Sequence, residues 1–171
     1  MITFELLTKE NMTEYSLDDY DRTQQVHRVY RKINNEYELI NDEWIMDWSL
    51  EKKRDVAKTL FIQDYIAVGA MENGRIIGFA SVKRELHEDS IILDMMQVAR
   101  SYRGQGIGKK LFDLAKELAR KADAKQLYIS AFSSEDTIAF YKSMGCVITD
   151  NPIIELVKEE PCDLQMVCAV D

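Results

Sequence analysis

The sequence predicts a mixed α/β single domain with elements in the order β-α-α-β-β-β-α-β-α-β-β. Three observations carry that reading. Asn73-Gly74, the preferred dipeptide of a two-residue type I′ turn, separates two apolar runs and marks a hairpin. A strand-like stretch, Ser90 to Ala99, runs directly into a glycine cluster at Gly104, Gly106 and Gly108. Out of that cluster comes Ile107 to Ala122, whose Leu111, Leu114, Ala115 and Leu118 fall on one helical stripe.

The elements follow in order. Ile2 to Leu7 reads as a first strand. Asp18 to Ile33 reads as a helix, because Val26, Val29, Tyr30 and Ile33 are helically spaced. Ser49 is a good N-cap for a second helix, Leu50 to Ile62. Tyr65 to Glu72 and Arg75 to Val82 form the hairpin, and Ile91 to Val98 the strand that enters the glycine turn. Gln126 to Phe132 is a short strand, and Ser134 to Met144 a helix closed by Gly145 at C′. Cys146 to Thr149 and Asp163 to Val170 complete the chain as a closing strand pair joined by an acidic loop. With two prolines, no internal repeat and no low-complexity linker, no domain boundary is expected.

Composition narrows the function. A chain of 171 residues can bury roughly 68–70% of its unfolded surface. No apolar run approaches a membrane span, and Met1-Ile2-Thr3-Phe4-Glu5 has neither the basic start nor the apolar core of a signal peptide. Cys146, Cys162 and Cys168 are odd in number and lack zinc spacing, which suits buried, reduced thiols in the cytoplasm. The expectation is a cytoplasmic protein with no membrane partner and no metal. Net charge is −8, which argues against nucleic acid. Yet from Arg100 to Lys125 eight bases face three acids, so this window carries +5 and the rest −13. A basic island around a glycine turn suits a small polyanion better than a long one.

Glycine clustered at a strand-to-helix junction lets the backbone approach a ligand closely. The first amides of the helix lack internal partners and carry the positive end of its dipole, which makes a cradle for phosphate. Two nucleotide motifs are excluded by spacing. A P-loop needs four residues between its glycines and Ser or Thr after the lysine, whereas Lys110 follows Lys109. A dinucleotide fingerprint needs glycine where Lys109 stands.

Arg103-x-x-Gly106-x-Gly108, after a strand ending in Val98 and before an amphipathic helix, resembles the coenzyme A-binding motif of the GNAT superfamily of N-acetyltransferases. Tyr141-Lys142-Ser143-Met144-Gly145-Cys146 looks like that superfamily's Tyr-x-x-x-Gly-Phe segment, and the Asn73-Gly74 hairpin is similar as well. The resemblance covers Tyr65 to Cys146. It implies a mostly antiparallel sheet flanked by helices, in one domain of three parts. Residues 1–64 would form the acceptor side, 65–146 the hairpin and acetyl-CoA core, and 147–171 the closing strands. It also implies acetyl-CoA as cosubstrate and direct transfer to an amine. The amides of Arg103, Gly104, Gln105, Gly106, Ile107, Gly108 and Lys109 would hold its pyrophosphate. Met96, Gln97 and Val98 would pair their backbone with the pantetheine arm like an added strand. Tyr141 would be the general acid at the leaving thiolate. Ser134 stands where relatives often place a coenzyme-contacting asparagine, and serves equally as a helix cap.

The base is read from chemistry. An ammonium with pKa near ~10.4 sheds its proton at pH 7 at a cost of roughly 4.6 kcal/mol, which a modest base or a water chain can manage. Asp94, a carboxylate among Ile92, Leu93 and Met95, is the candidate. Glu135, His27 and His87 read as surface groups. On the acceptor side, Asn34 to Glu51 holds six acids (Glu36, Glu38, Asp42, Glu43, Asp47, Glu51) and no base, with Tyr37, Trp44 and Trp48 interleaved. Carboxylates with aromatic faces suit a small cationic amine. A non-catalytic acetyl-CoA sensor, an acetyltransferase acting on protein N-termini or lysines, and a homodimeric arrangement all stay open.

Overall fold

The computed structural model describes residues 1–171. Its strands and helices are β1 (Thr3–Leu6), β2 (Gln24–Ile33), β3 (Glu36–Met46), α1 (Leu50–Thr59), β4 (Tyr65–Glu72), β5 (Arg75–Lys83), β6 (Ser90–Val98), α2 (Ile107–Lys121), β7 (Gln126–Ala131), α3 (Glu135–Ser143), β8 (Val147–Ile148), α4 (Ile154–Glu159) and β9 (Leu164–Ala169). The mixed α/β class and the mostly antiparallel sheet are as expected. From Leu50 onward the elements match the sequence reading to within a few residues, apart from α4, a short helix inside the expected acidic loop.

The order of the first elements is corrected. Asp18 to Ile33 is not a helix: after a loop, Gln24–Ile33 pairs with Glu36–Met46 as a separate two-stranded ribbon. A register shift explains the misreading. The ribbon's register shifts between Val26 and Arg28, two steps along β2 matching three along β3. Such an irregularity sharpens the local twist, so Val26 and Val29, three residues apart, both become buried in a strand. The ribbon turns at Asn34-Asn35, whose φ of 51° and 65° build the left-handed turn that a tight hairpin needs.

The main sheet runs β1-β4-β5-β6-β7-β9-β8. Asn73 and Gly74, at φ 51° and 75°, make the expected turn between β4 and β5. Alternate residues of these strands feed two apolar layers. Val68, Ala70, Ala80 and Val82 pack under Leu111, Phe112, Ala115 and Ala119 of α2. Ala67, Met71 and Phe79 pack on Val56, Ala57 and Leu60 of α1. Ser49 caps α1 by accepting from the Lys52 amide. The closing strands pair as expected, with β9 inserted between β7 and β8. Cys146 and Cys168 are buried free thiols, whereas Cys162 is exposed, contrary to the buried role expected of it. No helix is long and apolar enough to cross a membrane.

The junction that makes a site lies at the centre. β6 and β7 are parallel, and their ladder runs only from Ser90↔Gln126 to Leu93↔Ile129. β6 then continues to Val98 paired with β5 alone. The edge of β6 that faces β7 is therefore unpaired from Asp94 onward, and a wedge opens between the two strands. Asp94 sits where the wedge begins. Met95 pairs with Ser81 and Leu93 with Val82, so Asp94 is the extra residue of a β-bulge.

Candidate active site

A cleft of roughly 650 Å³ fills the wedge. Its walls are Leu93 to Val98 of β6, Ile129, Ser130 and Phe132 from β7 and its end, the glycine turn, one face of α3, and Arg22 with Gln24. Parallel neighbours with a crevice at their C-terminal ends are a common place for ligands in α/β sheets.

At one end stands the glycine turn. Gly104 and Gly106 have φ of 79° and 85°, the left-handed region, and Gly106 is the N-cap of α2 with no side chain to satisfy the helix. A Cβ on either would meet nothing within 4 Å, so the demand for glycine is conformational. None of the six amides from Gly104 to Lys109 donates to a backbone acceptor in the chain. With the dipole of a 15-residue helix behind them, they form an anion cradle.

Arg103 does not point at that cradle. Its Nε donates to the Val98 carbonyl at 2.9 Å, Nη1 to Thr23 at 2.7 Å and Nη2 to Arg22 at 3.1 Å. It ties the segment before β2 to the end of β6, and its amide donates to the Arg100 carbonyl at 3.4 Å, so the expected Arg103 amide is not free for the cradle. Ile107 is buried in the core, and the Gln105 side chain turns back to the Ser101 carbonyl at 3.4 Å. Both can contribute only their amides.

Ser134 is the N-cap of α3. Its Oγ accepts from the Thr137 amide and from Gln24 Nε2, both at 3.2 Å, and donates to Thr137 Oγ1 at 2.8 Å. The hydroxyl is saturated and buried. Thr137, one turn on, faces the cleft in its place, as does Asp136. Glu135 pairs with Arg28 at 2.5 Å, a surface role as expected.

Tyr141 lies at the deep end, on the cleft wall and edge-on to Phe140 at a centroid distance of 5.4 Å. Burial, with the Cys146 thiol and Asp163 nearby, pushes its phenol well above the ordinary range. It is a protonated donor throughout the neutral range, and its hydroxyl makes no hydrogen bond within the chain.

Two carboxylates serve the opposite face. Asp94 lines the cleft at the bulge. Desolvation by the concave surroundings raises its pKa, opposed by Lys83 and aided by Glu159. The second was not found by sequence reasoning. Ser130, on the cleft wall, donates to Asp163 Oδ2 at 3.0 Å and accepts from Gln165 Nε2 at 3.0 Å. Gln165 Oε1 accepts from the Tyr128 hydroxyl at 2.5 Å, which accepts from the Ile153 amide at 2.9 Å. Every donor in this chain points toward Asp163. Burial lifts that carboxyl to about 6 despite the serine's hydrogen bond. Ser130 sits on a short apolar strand and Asp163 in an acid-rich loop, 33 residues apart, with no spacing to link them.

The six acids read as an acceptor wall do not enter the cleft. Four lie on β3, where Glu43 meets His27 at 3.3 Å, and Asp47 accepts from the Trp48 amide. Of their aromatic neighbours, Trp44 touches the site indirectly, edge-on to Phe132 at 5.9 Å. His87 joins Ser90 through its backbone, away from the cleft.

Known proteins share this fold. The whole chain superposes on the nourseothricin acetyltransferase crystal structure with a TM-score of 0.76, at 16% identity and 99% coverage of both chains. A Bacillus anthracis protein described as a streptothricin acetyltransferase, solved with acetyl coenzyme A, gives 0.71 at 17% identity, covering 98% and 95%. Among curated proteins, streptothricin acetyltransferase of Streptomyces lavendulae is 32% identical over 82 residues, 47% of this chain and 42% of that protein. N-alpha-acetyltransferase 30 of Schizosaccharomyces pombe is 26% identical over 80 residues, 44% and 53% respectively. These matches span about half the length of each curated relative. The model of the acetyltransferase (GNAT) family matches residues 33–146, well over half of the sequence, and the chain belongs to that family.

Proposed function

We propose that the protein moves an acetyl group from acetyl-CoA directly to a small primary amine. One observation carries this reading: a glycine turn with free amides at a helix N-terminus, an unpaired strand edge and an unpartnered phenol meet at a single wedge between two parallel strands. Acetyl-CoA supplies an activated acyl group and a thiolate that can leave. The amides of residues 104–109 hold its pyrophosphate, and the free edge at Met96 to Val98 takes the pantetheine arm as an added strand. Tyr141 donates a hydrogen bond to the sulfur. Asp94, at the opening of the wedge, attracts the acceptor as its ammonium ion. Ser130 takes the ammonium proton through its free lone pair while passing its own to Asp163. Buried to a pKa of about 6, Asp163 is a base stronger than an exposed aspartate by about two units. Asp94 remains the alternative base, acting directly or through water.

Thiol release with acetyl-CoA and a panel of small primary amines tests the reading. Turnover with a subset of them is expected. Binding of acetyl-CoA with no thiol release for any amine, peptides included, would leave a sensor module in its place. The cradle has its own check. Gly106→Ala forces a side chain into left-handed backbone, at a cost of roughly 1–2 kcal/mol. It is expected to lower the melting temperature by a few degrees and to weaken acetyl-CoA binding at least tenfold, measured by calorimetry.

A further inference from the structure

We infer that Arg22 forms an anion subsite in the acceptor half of the cleft, so that the amine substrate also carries a carboxylate. The inference rests on the acetyl-transfer reading and names the class of its acceptor. Arg22 is only 4% exposed, yet it lines the cleft. It enters none of the chain's ion pairs. Nη1 donates to Gln24 Oε1 at 3.0 Å and Nη2 to the Met46 thioether at 2.8 Å, a weak acceptor. Nε is buried with no partner at all.

No carboxylate reaches the guanidinium as an ion pair, and Asp47 acts on it only from beyond that distance. The adjacent acids are committed elsewhere: Asp21 accepts from the Thr23 amide at 3.0 Å and Asp47 from the Trp48 amide at 2.8 Å. Another cation, Arg103, stands beside it and donates to the Arg22 carbonyl. Trp48 lies 5.4 Å beneath the guanidinium, fixing its plane without supplying an anion. Burial first, and then Arg103, brings its pKa down to about 10, so at neutral pH the charge stays. A buried unpaired charge is strongly unfavourable, and a guanidinium fork with a free Nε–H matches a carboxylate edge.

Arg103 ties the Arg22 carbonyl to Val98, near the glycine turn, and it is the layer the Arg22 side chain packs in that separates this anion from the phosphates of the coenzyme. Trp48 packs on Phe79, in the layer that holds α1, whereas the glycine turn opens α2 on the other face of the sheet. Phe79 pairs with Gln97, three residues beyond Asp94. At about 3.3 Å per strand residue, Arg22 stands at a level roughly 10 Å along β6 from the bulge. An acceptor with its ammonium at Asp94 and its carboxylate at Arg22 is an extended amino acid, not a simple polyamine.

The test uses ω-amino acids of two to six carbons, each paired with its primary amide. The wild type is expected to favour the longer acids over their amides by at least tenfold in kcat/KM. Arg22→Gln is expected to erase that preference while leaving the amides and the Kd of acetyl-CoA unchanged, and Arg22→Lys to restore it in part. Removing an unpaired buried charge with Arg22→Met should hold or raise the melting temperature. Equal rates for acid and amide in the wild type would overturn the inference and leave acetyl transfer intact. So would a loss in Arg22→Gln that falls on acetyl-CoA affinity. If no amine is turned over, the transfer reading fails alone provided that N-acetyl-ω-amino acids bind the wild type and not Arg22→Gln. Failure of those ligands to bind either protein overturns the subsite too.

Discussion

Tyr141→Phe is expected to lower kcat by about 10- to 100-fold while leaving the Kd of acetyl-CoA and the melting temperature within error of wild type. The size follows from what the phenol can do. Its pKa lies above the ordinary 10 because the ring is buried, whereas a thiol titrates near 8.5. Full proton transfer to the departing sulfur is therefore uphill, and the phenol serves as a hydrogen-bond donor to developing negative charge. Such a bond is worth about 1.5–3 kcal/mol, which converts to one to two decades of rate. The ring's packing on Phe140 and Phe112 is kept in phenylalanine, and the hydroxyl has no partner in the chain to lose. Stopped-flow thiol release under saturating acetyl-CoA reads the effect. A kcat equal to wild type would remove Tyr141 from the reaction.

The parts of this molecule visible in sequence are those set by local chemistry. The Asn73-Gly74 turn, the Ser49 and Ser134 caps and the bare glycines at 104 and 106 each satisfy a backbone requirement within a few residues. Their positions and geometry follow from residue type alone. The first strand is as expected, but Asp18 to Ile33 is misread as a helix because Val26 and Val29 keep helical spacing within a strand whose ribbon shifts register. The Asn34-Asn35 dipeptide is the local feature that marks this hairpin, at φ 51° and 65°. In the site, the cradle was legible and the acceptor side was not. The Arg103 amide reads as a ligand for phosphate, but it donates to the Arg100 carbonyl, and three further carbonyls claim the guanidinium. Arg22, set between Gln24 and the distant Met46 and Trp48, and the Ser130–Asp163 pair, 33 residues apart, acquire meaning from the folded chain, which no motif spacing encodes.

Asp163→Asn is expected to make the protein more stable and the enzyme slower. The folded carboxyl sits at about 6 against an ordinary 3.8, raised by burial. At pH below the lower value both folded and unfolded chains hold the proton, and the group has no effect. As pH rises through 4 to 6 the unfolded chain ionises first, and above 6 the native state carries a buried charge at full penalty. Wild-type stability should therefore fall over that window. The shift corresponds to about 3 kcal/mol at its face value, reduced to roughly 1 kcal/mol because the carboxylate is only partly shielded from water. Asparagine removes the penalty and still accepts from Ser130. Asp163→Asn should then melt about 2–4 °C higher than wild type at pH 7.5, and match it at pH 4. Its kcat should drop by about 100-fold, the order supplied by a general base, and the rise of kcat/KM through pH 6 should vanish. Ser130→Ala should show the same loss of rate with no gain in stability, since the buried charge remains. A pH–rate profile for Asp163→Asn that keeps its limb near 6 would move the proton acceptor to Asp94, where Asp94→Asn would be the variant that loses it. Stability rising and rate falling in one substitution is the signature of a carboxylate kept ionised for chemistry against the preference of the fold.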